Sequence, residues 1–337
     1  IVRREAEPEW RRLLPVKFLA GVVGIGGGLA LGREGPTVQM GGATGFMVSQ
    51  WFKVKVGEGE RRALISAGAG AGLAAAFNAP LAGTVFALEE IFKYFSPVIL
   101  LSTMVSALVG DFVSKIIFGM DPIFLFGELD ILPLRNYWSL FILGVLLGLA
   151  GAGFNRILLW SKGAYRNIKE THRPVFAFLV AGVVGLLYPL ASGSGHPIPG
   201  ELDWSRPVLF FLILLAVKFA FSMICFGSGV PGGIFFPLLM LGAVIGGAFA
   251  TVFMQHFNID PHYFDLFLIL GMAGFFTAIV RAPITGIVLL AEMSGSFVHL
   301  LPLALVSVTA YVVVDLTGTA PIYDSLLELL IRDRHLE

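Results

Sequence analysis

Apolar runs follow one another along the chain with short polar links between them. Trp138 to Trp160 is the clearest uninterrupted run, and about 20 residues suffice to span a bilayer as a helix. A basic loop, Lys162 to Arg173, follows it, and similar runs at Pro97–Phe118, Pro174–Leu190 and Pro207–Phe226 predict further helices. The other apolar segments are shorter and interrupted: 37–52, 63–77, 80–92, 237–254, 266–280, 283–294, 298–316 and 321–332. Helices of unequal length, broken at glycine and proline, fit a channel or transporter better than a receptor. One interruption is charged. Gly32-Arg33-Glu34-Gly35-Pro36 sits between the apolar stretches Phe18–Leu31 and Thr37–Phe46. Ionisable residues at such depth are costly and mark pathways or sites by default. Pro36 predicts a helix restarting there, since proline is tolerated in a first turn, with Glu34 at the positive end of its dipole.

Composition agrees. The 337 residues are 56% hydrophobic and 14% charged, with a mean hydropathy of +0.84, against about 25% charged in soluble domains. An all-α polytopic membrane protein is expected. A net charge of zero offers no electrostatic footprint for nucleic acid. Cys225 is the single cysteine, so there is no disulfide framework. The six histidines show no metal-ligand spacing, and no nucleophile constellation suggests an enzyme or a cofactor. Ile1 begins a charged segment without a signal peptide, and further residues are expected upstream of it. Basic residues gather at 3–17, 53–62, 156–173 and 332–334, while the links 120–135, 196–206 and 256–265 lean acidic. Positive-inside bias places 156–173 and the C-terminus in the cytoplasm.

The chain also repeats itself. Ala79-Pro80-Leu81-Ala82-Gly83 through Glu89 matches Ala282-Pro283-Ile284-Thr285-Gly286 through Glu292 at an offset of 203 residues. Gly32 to Pro36 matches Gly233-Ile234-Phe235-Phe236-Pro237 at an offset of 201, with Gly41 and Gly242 in step. Two approximate halves follow, 1–135 and 136–337, and a site between repeats is the transporter expectation. Shared positions, Gly32/Gly233, Pro36/Pro237 and Glu89/Glu292, read as architecture. Unshared ones point to function. Glu34 stands opposite Phe235 and Glu90 opposite Met293, which makes these two glutamates the candidates for moving protons.

The segment 226–237 is a flexible loop entering a helix, so the amides of Ile234 and Phe235 would face whatever precedes that helix, as at other anion-binding helix starts. The alternative is a glycine packing motif without ligand. A phosphate loop is disfavoured, because no Gly-Lys-Ser/Thr follows. Ionised, Glu34 would occupy an anion site itself; protonated, it could swing away. Its alternative is a salt bridge to Arg33 or a plain buried cap, and Arg33 reads as a field-setting residue more than a ligand. Glu89 and Glu90 also fit a solvated helix end paired with Lys93. Tyr323 could offer its hydroxyl to an anion or serve as an interfacial belt tyrosine. Ser192 to Pro197 reads as a polar link.

These motifs resemble the CLC family of chloride channels and proton/chloride exchangers. Gly32-Arg33-Glu34-Gly35-Pro36 is similar to its GREGP gating motif, Gly233 to Pro237 to its GxFxP anion motif, and Pro321-Ile322-Tyr323 to the segment bearing its anion-coordinating tyrosine. The stretch Gly72 to Gly83 extends the resemblance along nearly the whole chain. It implies a single CLC-type transmembrane domain over 1–337, an inverted repeat of tilted and broken helices, normally a homodimer in lipid. It further implies that Glu34 is the outer gating glutamate and Glu90 the inner proton-transfer glutamate of exchangers. Chloride, the transported ligand, would meet the amides of Ile234 and Phe235 and the Tyr323 hydroxyl, with Arg33 and Gly35 completing the anion set. The family's first-half GSGxP motif is expected upstream of Ile1, together with the earliest helices. Gly227-Ser228-Gly229-Val230-Pro231 is its second-half counterpart. No cystathionine-synthase-type domain appears up to residue 337, as in prokaryotic members, whose cell membrane is the expected location. The expected activity is proton/chloride exchange. A passive chloride channel, a fluoride exporter and a non-transporting scaffold on the same fold are the alternatives.

Overall fold

The computed structural model describes residues 9–51, 57–127, 129–257 and 259–334. Parts of the basic clusters at 3–17 and 53–62 lie outside these residues. The chain runs α1 (Trp10–Gly26), α2 (Glu34–Trp51), α3 (Glu58–Phe77) and α4 (Pro80–Phe86), which continues as a π-helical turn (Ala87–Phe92). Then come α5 (Pro97–Phe118), α6 (Trp138–Tyr165), α7 (His172–Leu187), the short α8 (Ile198–Glu201), α9 (Val208–Gly227) and α10 (Phe235–Phe257). The chain continues through α11 (Phe264–Val280), α12 (Pro283–Met293), α13 (Leu300–Leu316) and α14 (Ile322–Arg334).

Most helices follow the apolar runs to within a few residues, and α5 matches its run at both ends. Two differences carry information. The first apolar stretch ends its helix at Gly26, and Leu29 to Leu31 continue as buried, non-helical chain with a tight turn from Leu31 N–H to the Leu29 carbonyl. Gly28 turns the backbone there at φ +85°, a conformation open to glycine. The segment expected as one helix over 80–92 changes pitch at Ala87.

The core lies in the second half of the chain. α10 and α11 are apolar on every face, and buried residues make up 89% of the spanning window of each. α5 is comparably apolar, yet only 28% of its window is buried; Val98, Leu101, Val105, Phe112 and Ile116 face outward. A helix hydrophobic all round belongs in a core or in lipid, and these helices illustrate both cases. Among the described residues, five helical segments are long and apolar enough to cross a membrane, and the chain is an integral membrane protein.

Helix seams rest on glycine. A Cβ on Gly41 would strike the carbonyl of Gly68 across the α2–α3 seam, and one on Gly242 would lie 2.6 Å from the carbonyl oxygen of Gly271 across α10–α11. In a membrane, where apolar burial does not separate protein from lipid, such close backbone approach drives helix packing.

Candidate functional site

The site begins with a backbone exchange. Gly32 N–H donates to the carbonyl of Gly233, and Gly233 N–H donates back to that of Gly32, both at 2.8 Å. This isolated antiparallel bridge brings the turns before α2 and α10 face to face. Each turn opens a helix two residues later, and each places its proline, Pro36 or Pro237, third in that helix. Proline fits because the first-turn amides have no intrahelical acceptor.

The two starts share their glycine and proline and differ at the three positions between, of which Glu34 is the acidic one. Glu34, the first residue of α2, is 2% exposed, and its carboxylate reaches the facing helix start. Oε1 accepts from Phe236 N–H at 3.2 Å, at the start of α10, with the Phe235 amide and its own also bearing on the carboxylate. A helix N-terminus favours negative charge by roughly 0.3–2 kcal/mol. Oε2 is buried without a hydrogen-bond partner. The glycines make the room: a Cβ on either Gly32 or Gly233 would collide with this carboxylate. Gly35 has its own reason, since its Cβ would lie 3.0 Å from Gly233 Cα.

Arg33 is exposed and forms no ion pair with Glu34 among the described residues, which leaves the salt-bridge alternative without support. Phe235 is fully buried, its ring 4.5 Å from Phe276 and 5.0 Å from Phe77 by centroid. Ile234 is buried as well. The amide in hydrogen-bond contact with Glu34 belongs to Phe236, one residue beyond the pair singled out from sequence. Tyr323 is the second residue of α14, partly buried in its first turn.

Glu89 and Glu90 separate sharply. Glu89 accepts from the Ile284 amide at 3.2 Å, the Thr285 amide at 2.7 Å and the Thr285 hydroxyl at 2.8 Å, capping the start of α12. Glu292 returns the favour, accepting from Leu81 and Ala82 amides at 3.0 and 2.7 Å at the start of α4. Glu90 lies beside Glu89, half-buried in the π-helical turn. Lys93, the expected partner of this helix end, meets Asp324 Oδ2 through its Nζ at 2.6 Å.

Several residues escaped the sequence reading. Asn155 Nδ2 donates to the carbonyls of Ile279 and Ala320 at 3.2 and 3.3 Å. Arg281 bonds Asp315 at 3.0 Å and the Thr319 carbonyl at 2.8 Å. Together they hold the turn that leads into Tyr323. Lys218, fully buried in α9, donates to the carbonyls of Ala191 and Gly193 at 3.0 and 2.6 Å. A lone charge in an apolar run was the available signal. The loop it holds is more than a polar link: Gly193 N–H donates to Gly28 at 3.0 Å, and the His196 ring stacks on Phe236, 5.7 Å away and 3° from parallel. No cluster of metal-ligating residues occurs among the described residues.

Known proteins carry the same arrangement of chain. The proton/chloride exchange transporter ClcA of Vibrio parahaemolyticus is 38% identical over 340 residues, which cover 97% of this chain and 72% of the relative. The crystal structure of a slow cyanobacterial chloride/proton antiporter superposes with a TM-score of 0.91 at 32% identity, covering 99% of this chain and 80% of that one. A CLC-type fluoride/proton antiporter matches at a TM-score of 0.71 and 23% identity, covering 90% and 80% of the two chains, a likeness of fold. Residues 1–315 match the family described as voltage gated chloride channel. With the paired helix starts, the buried glutamate between them and these relatives in view, the chain belongs to the voltage-gated chloride channel, or CLC, family.

Proposed function

We propose that this chain exchanges chloride for protons across a membrane and works as a transporter, not an enzyme, with chloride as its transported ligand. The observation that carries the reading is the Glu34 carboxylate on the amides that open α10. A carboxylate and a halide ask the same of a protein: fixed N–H donors and partial positive charge, without a cation that would hold the ion too tightly. Glu34 therefore acts as a stand-in for the anion. Oε2, buried and unpartnered, is the oxygen on which a proton would be taken up, since an unpaired buried acceptor is costly. Neutralised, the side chain loses its electrostatic hold on α10 and vacates the seat, and chloride can enter. Release of the proton brings the carboxylate back.

In this reading the anion meets the amides of Ile234 and Phe235 and the hydroxyl of Tyr323, while Gly35 keeps the first turn close to the second. Arg33 sets field at the mouth. Glu90 serves as the inner proton group, next to a glutamate whose oxygens are committed to capping. The reciprocal bonds at Gly32/Gly233 and Glu89/Glu292 support two halves, 1–135 and 136–337, facing each other across the site. A homodimer in the lipid of a prokaryotic cell membrane, with a cytoplasmic C-terminus, completes the proposal.

The test is transport by purified protein in sealed liposomes. An imposed chloride gradient is expected to drive protons in the opposite direction until a proton gradient is measurable with a pH-sensitive dye. Chloride flux with no proton movement would replace the exchanger with a passive channel. Competition by fluoride stronger than by chloride would shift the reading toward the fluoride-exporting alternative.

A further inference from the structure

The π-helical turn that carries Glu90 ends at Lys93, whose backbone is left-handed at φ +56°. Left-handed backbone is uncommon outside glycine and asparagine, and nothing in the local turn asks for a lysine. The lysine side chain supplies a reason. Its ammonium reaches Asp324 Oδ2 at 2.6 Å across 231 residues of sequence, and Asp324 directly follows Tyr323 in the first turn of α14. The pair is partly shielded, with side-chain exposures of 36% and 28%.

Each end of this pair adjoins a residue of the proposed mechanism. Three residues before Lys93 stands Glu90. One residue before Asp324 stands Tyr323, in the same first turn of α14. Glu89 ties the π-helical turn to α12, while Asn155 and Arg281 tie the chain before Tyr323 to α6 and α11. The ion pair joins the two segments directly.

We propose that Lys93 and Asp324 form a positioning clasp that keeps the Glu90 segment in register with the Tyr323 helix start. The clasp thereby sets how strictly proton movement follows anion movement. This rests on the exchange reading above. Lys93 and Asp324 touch neither transported ion; they act through their neighbours. A π turn is rare and recurs at functional sites, and a tether at its cap residue, three positions after Glu90, has leverage on where that side chain sits.

Lys93→Gly separates this from a plain structural role, because glycine relieves the left-handed backbone while removing the ammonium. In liposomes, Lys93→Gly and Asp324→Asn are each expected to lower the protons moved per chloride about two- to fivefold, the scale of a partly exposed ion pair. The charge-reversed double variant Lys93→Glu/Asp324→Lys is expected to recover most of the ratio. By calorimetry with sodium chloride, Lys93→Gly is expected to weaken chloride binding about twofold or more. A wild-type ratio in Lys93→Gly, or a double variant no better than the singles, overturns the clasp. Should the unsubstituted protein pass chloride without protons, the exchange reading fails on its own account. Calorimetry then decides the clasp: unchanged chloride affinity in Lys93→Gly overturns it, and weakened affinity supports it as a support of the anion site alone.

Discussion

The turn before α2 and the turn before α10 face each other with glycine and proline in matching places, and of the three positions between that differ, Glu34 against Phe235 is the instructive one. Both carry a bridging glycine, Gly32 or Gly233, and both seat a proline third in the helix that follows. At the first helical position one has Glu34 and the other Phe235. Phe235 fills a pocket among Phe77, Phe86 and Phe276, so the turn itself makes no demand for charge. Glu34 crosses to the opposite helix start and takes a hydrogen bond from Phe236. A repeated scaffold supplies the cradle, and one unrepeated side chain occupies it.

The largest effect is expected from removing that side chain. Glu34→Ala and Glu34→Gln should fold, because Phe235 shows the turn tolerating a neutral residue. In liposomes they are expected to abolish proton movement, at least tenfold below the unsubstituted protein, while chloride flux persists as passive leak in Glu34→Ala. Proton movement against a chloride gradient in Glu34→Ala would remove Glu34 from the gate and reduce the comparison to packing.

The second difference is Glu90 opposite Met293, and the local backbone differs with it. The first copy passes into a π-helical turn at Ala87, while α12 stays α-helical to Met293. Capping does not require the π turn, since Glu292 caps α4 from a regular helix. π turns recur at functional sites, and Glu90 lies in this one. Glu90→Met, which makes the first copy like the second, is expected to leave chloride flux within about threefold and to cut the protons carried per chloride by tenfold or more. An unchanged ratio would make Glu90 a solvated helix end.

The pair that the halves share should behave otherwise. Glu89→Gln and Glu292→Gln leave a neutral acceptor on each cap, so each is expected to cost about 1–2 kcal/mol of stability, read as earlier thermal unfolding in detergent. Glu292→Gln should leave the proton-to-chloride ratio intact. A ratio lost in Glu292→Gln would mean that shared positions also carry protons, and the sorting by repeat would fail.

Much of this was legible in the chain itself. Apolar runs located the helices, and the offsets of 201 and 203 residues paired the turns and the caps before any contact was seen. Three things were hidden for physical reasons. The pitch change at Ala87 leaves no mark in hydropathy, because a segment of six residues is too short to separate one helical period from another. Phe236 escaped because a backbone donor carries no sequence signature, and only the reach of the opposing carboxylate selects it. Asn155 and Arg281 escaped because they act across the fold on carbonyls of the 319–320 turn, and carbonyl acceptors are present at every residue.

Arg281 offers the subtlest test of the comparison. It ends α11 with left-handed backbone at φ +69°, as Asn78 ends α3 at φ +51°, again 203 residues apart. Asparagine suits that conformation, and arginine does so less well. The arginine is explained by what it reaches: Asp315 at 3.0 Å and the Thr319 carbonyl at 2.8 Å, just ahead of Tyr323. Arg281→Asn makes the second copy like the first, so the backbone gain and the lost bonds should nearly offset. Stability is expected to change by under about 1 kcal/mol. The freed 319–320 turn is expected to loosen Tyr323 and weaken chloride binding two- to threefold by calorimetry. Unchanged affinity would leave Arg281 a helix end and place the support of Tyr323 on Asn155 and the chain of α14. A large loss of stability would mean instead that the guanidinium, and not the repeated backbone turn, holds the end of α11.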